Sequence, residues 1–152
     1  MEIHIVLDNI RSVFNVGSIF RSADGAGSVK KIYLCGMTSD IDNPKLEKTA
    51  LGAIDMIHSE HYDDTMEALG EIREQNIPIY SVELTDDAED FQSITYPAKV
   101  ALVFGHEKSG VGEDILKKSD KKISVPMRGR KESLNVANCA TAVLYEATRG
   151  LA

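Results

Sequence analysis

Cysteine is scarce in this sequence. Cys35 and Cys139 stand far apart with no Cys-x-x-Cys spacing, which excludes a zinc ribbon and a disulfide framework and leaves two thiols expected to be buried. No apolar run approaches the roughly 20 residues that span a bilayer, so no membrane association is expected. The start Met1-Glu2-Ile3-His4-Ile5-Val6 has neither a basic leader nor a small-residue cleavage site, so it is not read as a signal peptide and a cytoplasmic protein is expected. The four histidines (His4, His58, His61 and His106) form no clear ligand set, and His58 and His61, three apart in a segment read as extended, point to opposite strand faces; no metal is expected. Basic charge is also in deficit. Seventeen Lys and Arg against 24 Asp and Glu give a net charge of −7, which argues against indiscriminate nucleic-acid binding, because phosphates are met by Lys and Arg. A local basic site remains open.

Three common fingerprints are missing as well. Gly105 and Gly110 have the glycine spacing of a phosphate-binding loop, but Val111 and Gly112 stand where Lys and Ser or Thr must be. No Gly-x-Gly-x-x-Gly follows the first apolar run, which excludes the standard dinucleotide fingerprint, and no Gly-x-Ser-x-Gly elbow supports a serine hydrolase.

What is present is an alternation of strand-like and helix-like segments with no repeat, linker or low-complexity stretch, so residues 1–152 are expected to form a single α/β domain. The β-branched runs predict six strands, at Ile3–Leu7, Lys31–Cys35, Ile54–His58, Ile77–Val82, Val100–Phe104 and Lys122–Val125, in a mostly parallel sheet flanked by helices. Val16, Ile19, Phe20, Ala23 and Gly27 recur at helical spacing with Asn15 as the expected N-cap; Arg21 falls off that stripe. Asp63 and Asp64 open a second helix whose apolar face is Met66, Leu69 and Ile72 and which Asn76 closes. A short helix follows Gly112, with acids at its start and lysines at its end, as the helix dipole prefers. The last helix is expected from about Leu134 to Arg149, apolar around most of its circumference and so suited to a subunit interface as well as a core.

Three segments at expected strand ends carry the polar residues suited to chemistry, where open α/β sheets place their ligands. They are Leu7 to Arg21, Val103 to Gly112 and Ile123 to Ala137. Within them stand Asn15-x-Gly17-x-x-x-Arg21, Phe104-Gly105-x-Glu107-x-x-Gly110, and Pro126-Met127 followed by Ser133-Leu134-Asn135. In this order and at these separations, the motifs closely resemble those of the SpoU (TrmH-like) branch of the SPOUT methyltransferases, over nearly the whole chain.

That resemblance implies a C-terminal deep trefoil knot, S-adenosylmethionine bound within it, a homodimer with the active site at the subunit interface, and transfer of a methyl group to a ribose 2′-hydroxyl of tRNA or rRNA. It leaves two alternatives: a methyltransferase of the same class acting on an RNA base, and a non-catalytic RNA-binding protein of the same fold. The chain is expected to be a bare catalytic domain with no separate RNA-binding extension. By motif position, Arg21, Asn15, Glu107, Ser133 and Asn135 are the implied catalytic residues. Leu84, Gly105, Ile123, Val125, Met127, Ser133 and Leu134 are the implied cofactor contacts, made largely by main chain. Arg11, Lys108, Arg128, Arg130 and Lys131 flank the same loops and are the candidate RNA phosphate contacts, whereas Lys117, Lys118, Lys121 and Lys122 read as a solvated face. Arg21 is a poor proton acceptor, because guanidinium stays protonated in proteins, so its expected work is to clamp a phosphate and stabilise developing alkoxide, with proton removal shared or late.

Overall fold

The computed structural model describes residues 1–151. Its first half runs through β1 (Glu2–Asp8), α1 (Val13–Ala26), β2 (Val29–Cys35), α2 (Glu47–Ala50), β3 (His58–Tyr62), α3 (Thr65–Glu74) and β4 (Ile79–Val82). The second half adds β5 (Glu89–Asp90), β6 (Lys99–Gly105), α4 (Glu113–Lys118), β7 (Lys121–Ser124) and α5 (Val136–Ala147). All the strands join one sheet in the order β3-β2-β1-β6-β4-β7-β5, and every pairing is parallel.

Helices cover both faces, and the sequence of the central strands reflects it. Along β1, Ile3, Ile5 and Leu7 enter one apolar cluster while Val6 enters the other; along β6, Val100, Leu102 and Phe104 alternate in the same way with Ala101 and Val103. Each buried Ile or Leu contributes about 1.5–3 kcal/mol by leaving water. The first cluster lies under α1 and α5, the second under α3 and α4. Buried Val136, Ala140, Val143, Leu144 and Ala147 form one face of α5, while Tyr145 on its other side is exposed.

Four sequence expectations need correction. The sheet has seven strands rather than six; the added one, Glu89–Asp90, is a two-residue acidic edge with no apolar alternation to betray it. The third strand is not Ile54–His58 but His58–Tyr62. It pairs only with β2 at the sheet edge and is mostly polar, whereas Ala53 is buried in a tight turn and Ile54 and Ile57 pack on the first cluster. The N-cap of α1 is Ser12, whose Oγ accepts the Asn15 N–H at 3.2 Å, so Asn15 is the third residue of the helix. The last helix starts at Val136, after a half-exposed Leu134, and ends at Ala147.

One connection has an unusual path. Val82 at the end of β4 and Glu89 at the start of β5 both stand level with Ile123 of β7, which lies between those two strands. Residues 83–88 therefore step across β7, tied by the Glu83 N–H to the Ile123 carbonyl at 2.9 Å.

Candidate active site

The ends of β4, β6 and β7 and the segment entering α5 surround a cleft of about 450 Å³. The loop after β6 forms one wall because it folds back on itself. A Cβ at Gly105 would overlap the Val111 nitrogen and the Gly110 carbonyl carbon, so only glycine fits there. Gly110 has φ +72° and sits against the Glu83 carboxylate, where a side chain would collide. Two carboxylates from flanking strands then hold successive amides of this loop. Glu83 accepts the Val111 N–H at 2.9 Å, and Asp8 accepts the Gly112 N–H at 3.1 Å while also taking the Thr65 hydroxyl at 2.7 Å. At the turn itself, His106 Nδ1 accepts the N–H groups of Lys108 and Ser109 at 3.1 and 3.2 Å, which selects the tautomer with its proton on Nε2.

The lining is chemically one-sided. Val82, Leu84, Phe104, Val125, Leu134 and Val136 give an apolar surface, and the charged residues are Glu83, Glu107, Glu113 and Glu132 against Lys108 alone. An excess of carboxylates disfavours a polyphosphate and suits a ligand of net positive charge, with the apolar residues offering a wall for a planar ring. S-adenosylmethionine, whose sulfonium and ammonium outweigh its single carboxylate and which carries a planar adenine, fits this lining. Among the sequence-derived cofactor residues, Leu84, Gly105, Val125, Ser133 and Leu134 line the cleft. Ile123 and Met127 do not: Ile123 is fully buried beneath the crossing at residues 83–88, and Met127 is half-buried on the following loop. Glu83, His106, Glu132 and Cys139 line it without having been singled out as contacts. Burial pushes the Cys139 thiol up to about 11, so it stands in the cleft as a neutral group rather than a nucleophile.

A second arrangement links this loop to two helices. Glu107 sends one oxygen to the Arg11 N–H at 2.8 Å and the other to the Ser12 N–H at 2.8 Å, the free amides at the start of α1. Its second oxygen also accepts from Asn15 Nδ2 at 3.2 Å. Asn15 Oδ1 in turn accepts from Asn135 Nδ2 at 3.1 Å, and Asn135 Oδ1 caps α5 by accepting the Ala137 and Asn138 N–H groups at 2.9 and 3.1 Å. The amide orientations follow from chemistry. Asn135 must present its oxygen to the helix, hence its NH₂ to Asn15, hence the Asn15 NH₂ to the carboxylate. Burial alone would raise the Glu107 pKa, but the N–H groups of Arg11 and Ser12, with the Asn15 amide, hold it below the ordinary carboxylate value. Glu107 is therefore ionised and fully engaged near neutral pH, an anchor rather than a free base.

Arg21 is exposed about one and two-thirds turns along α1 from Asn15, and it lines a separate hollow of about 430 Å³. Asn15, Ser18, Ser22, Lys48, Thr49, Asn135, Ala137, Asn138 and Thr141 complete that lining. The two cavities share no lining residue and lie on opposite sides of the α5 entry: Ser133, Leu134, Val136 and Cys139 face the cleft, while Asn135, Ala137, Asn138 and Thr141 face the hollow. The Glu107–Asn15–Asn135 chain spans between them. Arg11, Lys108, Arg128, Arg130 and Lys131 are all exposed, and none makes an ion pair among the described residues. Lys121 and Lys122, by contrast, pair with Glu89 and Asp87 at 2.7 and 3.1 Å. Among the described residues no helix is long and apolar enough to cross a membrane.

The family model of the SpoU rRNA Methylase family matches residues 2–145. The tRNA (guanosine(18)-2′-O)-methyltransferase of Thermus thermophilus is 31% identical over 148 residues, which is 97% of this chain and 75% of that protein. Among solved structures, an AdoMet-bound rRNA methyltransferase from Sinorhizobium meliloti superposes with a TM-score of 0.92 at 28% identity, covering 99% of this chain and 57% of that one. The SpoU methyltransferase AviRb from Streptomyces viridochromogenes, in complex with the cofactor AdoMet, gives 0.89 at 27% identity, covering 97% and 60%. The chain thus spans less than two thirds of these two solved relatives.

Proposed function

Since the chain belongs to the SpoU rRNA methylase family, we propose that it transfers a methyl group from S-adenosylmethionine to a ribose 2′-hydroxyl of tRNA or rRNA. The observation that carries this reading is the separation of charge between its two cavities. The acidic, apolar-walled cleft suits a cationic cofactor, and the hollow around Arg21 holds no acid and suits a phosphodiester.

When bound, the cofactor supplies an electrophilic methyl group on its sulfonium. The work of the chain is then positioning. Gly105 and the backbone of the folded-back loop would offer main-chain groups to the cofactor, and Leu84, Val125 and Leu134 would give its ring an apolar wall. Arg21 binds the RNA phosphate and stabilises negative charge developing on the 2′-oxygen; being always protonated, it does not itself carry the proton away, and the hydroxyl proton is released late, to water. Glu107, Asn15 and Asn135 keep the cleft wall, α1 and α5 in one register. Ser133, exposed at the cleft rim, is positioned to contact either partner, and Lys108, Arg11, Arg128, Arg130 and Lys131 add RNA phosphate contacts around the rims.

Two further parts of the reading have structural support. The step of residues 83–88 across β7 is the kind of crossing that a trefoil knot requires. A homodimer is favoured because the Arg21 hollow and the cofactor cleft of one subunit open on different sides of α5, so a partner's cleft would complete the site.

Substitution of Arg21 tests the assignment. Arg21→Ala is expected to abolish transfer of labelled methyl to unmodified RNA while S-adenosylmethionine binding, followed by calorimetry, persists. Full activity in that variant would remove Arg21 and its hollow from the mechanism.

A further inference from the structure

The hollow beside Arg21 holds a second cation. Lys48 comes from α2, a single helical turn that no motif marks, and it lines the hollow opposite the α1 residues Asn15, Ser18, Arg21 and Ser22. Its position follows from a close helix contact. A Cβ at Gly17 would overlap Thr49 Oγ1 and stand 2.6 Å from the Leu46 carbonyl oxygen, so glycine at that point lets the α2 segment rest directly on α1, one turn before Arg21. Thr49 Oγ1 fastens the contact by donating to the Phe14 carbonyl at 2.9 Å. Lys48 is exposed and makes no ion pair among the described residues.

The company of Lys48 is selective. In a chain with net charge −7, this hollow is lined by two cations, side-chain amides and hydroxyls, with no carboxylate and only Ala137 as an apolar residue. Asn135 Oδ1 already accepts two N–H groups and Asn15 Oδ1 accepts the Asn135 amide, and neither is a charged partner for the two cations. Such a lining matches a phosphodiester, whose oxygens accept from the ammonium and guanidinium groups and from the Ser18 hydroxyl; the Thr49 and Thr141 hydroxyls already donate to the Phe14 and Ala137 carbonyls, and Ser22 to Thr141.

We infer that Lys48 is a phosphate-binding residue of the acceptor site, holding the RNA backbone at the reacting nucleotide together with Arg21. The inference rests on the reading of the Arg21 hollow as the acceptor site. The test uses the full chain, a labelled mixture of unmodified tRNA transcripts and rRNA fragments, and a series of KCl concentrations. Lys48→Gln is expected to weaken RNA binding several-fold and to lower the slope of log affinity against log salt by about one, the effect of a single lost phosphate contact. The loss in methyl transfer should fall on KM for RNA rather than on kcat, and S-adenosylmethionine affinity should not move. Lys48→Glu should bind RNA more weakly still, and Lys48→Arg should restore the salt slope. An unchanged slope in both Lys48→Gln and Lys48→Glu, or a loss confined to kcat, overturns the inference. If Arg21→Ala abolishes transfer while the Lys48 variants bind RNA normally, only the role of Lys48 fails. If neither position matters, the acceptor reading of the hollow fails with it.

Discussion

Replacing Glu107 with Gln removes one charge and almost no volume, so it isolates what the carboxylate does. Its two oxygens accept the Arg11 N–H, the Ser12 N–H and the Asn15 amide. A glutamine keeps one acceptor oxygen and turns the other into a donor, which leaves a helix-start N–H without its partner and sets two donors against each other. A hydrogen bond to a charged group is worth about 1.5–3 kcal/mol, and an anion at a helix N-terminus adds about 0.3–1 kcal/mol. Discounted for partial exposure and for solvent reaching the freed amide, the expected loss is about 2–3 kcal/mol. For a domain of this size that lowers Tm by about 5–10 °C. The sign of the pH dependence follows from the same contacts. The folded pKa of Glu107 lies below its ordinary value. Its contribution is therefore complete above the unfolded carboxylate pKa, about 4.3, and disappears as pH falls through the folded value. Thermal unfolding of both proteins from neutral to acid pH should show Tm values that differ at pH 7 and converge toward low pH. Methyl transfer should fall with the loss of the Asn15 tether, and the S-adenosylmethionine affinity should weaken because the cleft wall is no longer fixed to α1. A variant with the wild-type Tm at pH 7 would refute the view that Glu107 anchors the helix, whatever its activity.

Other consequences follow from the same contacts. Asn135→Ala removes the α5 cap and the link to Asn15, and should lower stability by about 1–2 kcal/mol in urea unfolding. Asn135→Asp should recover most of that stability, because it still caps the helix, without recovering methyl transfer. Gly105→Ala should weaken S-adenosylmethionine binding in calorimetry, because the added carbon meets the Val111 and Gly110 backbone rather than a movable side chain; affinity equal to wild type would show that the loop is not held against Gly105. In sedimentation at micromolar concentration the protein should run as a dimer, and a monomer that still turns over would contradict an active site shared between subunits.

Much of the layered fold was legible because its central strands obey simple rules. Strands β1, β2 and β6 are apolar on both faces, and the stripe Val16, Ile19, Phe20 and Ala23 could only be a helix. Where the sequence misled, local preference was overruled from a distance. Ser12 and Asn15 are both competent caps, and the choice falls to Ser12 while Glu107, 95 residues away, takes the Ser12 N–H that a capping box would leave to residue 15. The edge strand His58–Tyr62 needs no apolar alternation, so the apolar run just before it drew the assignment toward itself. The site was legible through the family motifs, which mark positions but not contacts. Nothing in the spacing of Glu83 shows that it holds Val111, and nothing near Lys48 signals that a glycine on α1 draws its helix beside Arg21.

The most direct test of the central claim is nucleoside analysis after transfer of labelled methyl from S-adenosylmethionine to unmodified tRNA and rRNA. The account predicts label in a 2′-O-methylated nucleoside, lost in Arg21→Ala. Label in a methylated base, or no transfer to any RNA by a protein that binds the cofactor, would contradict it.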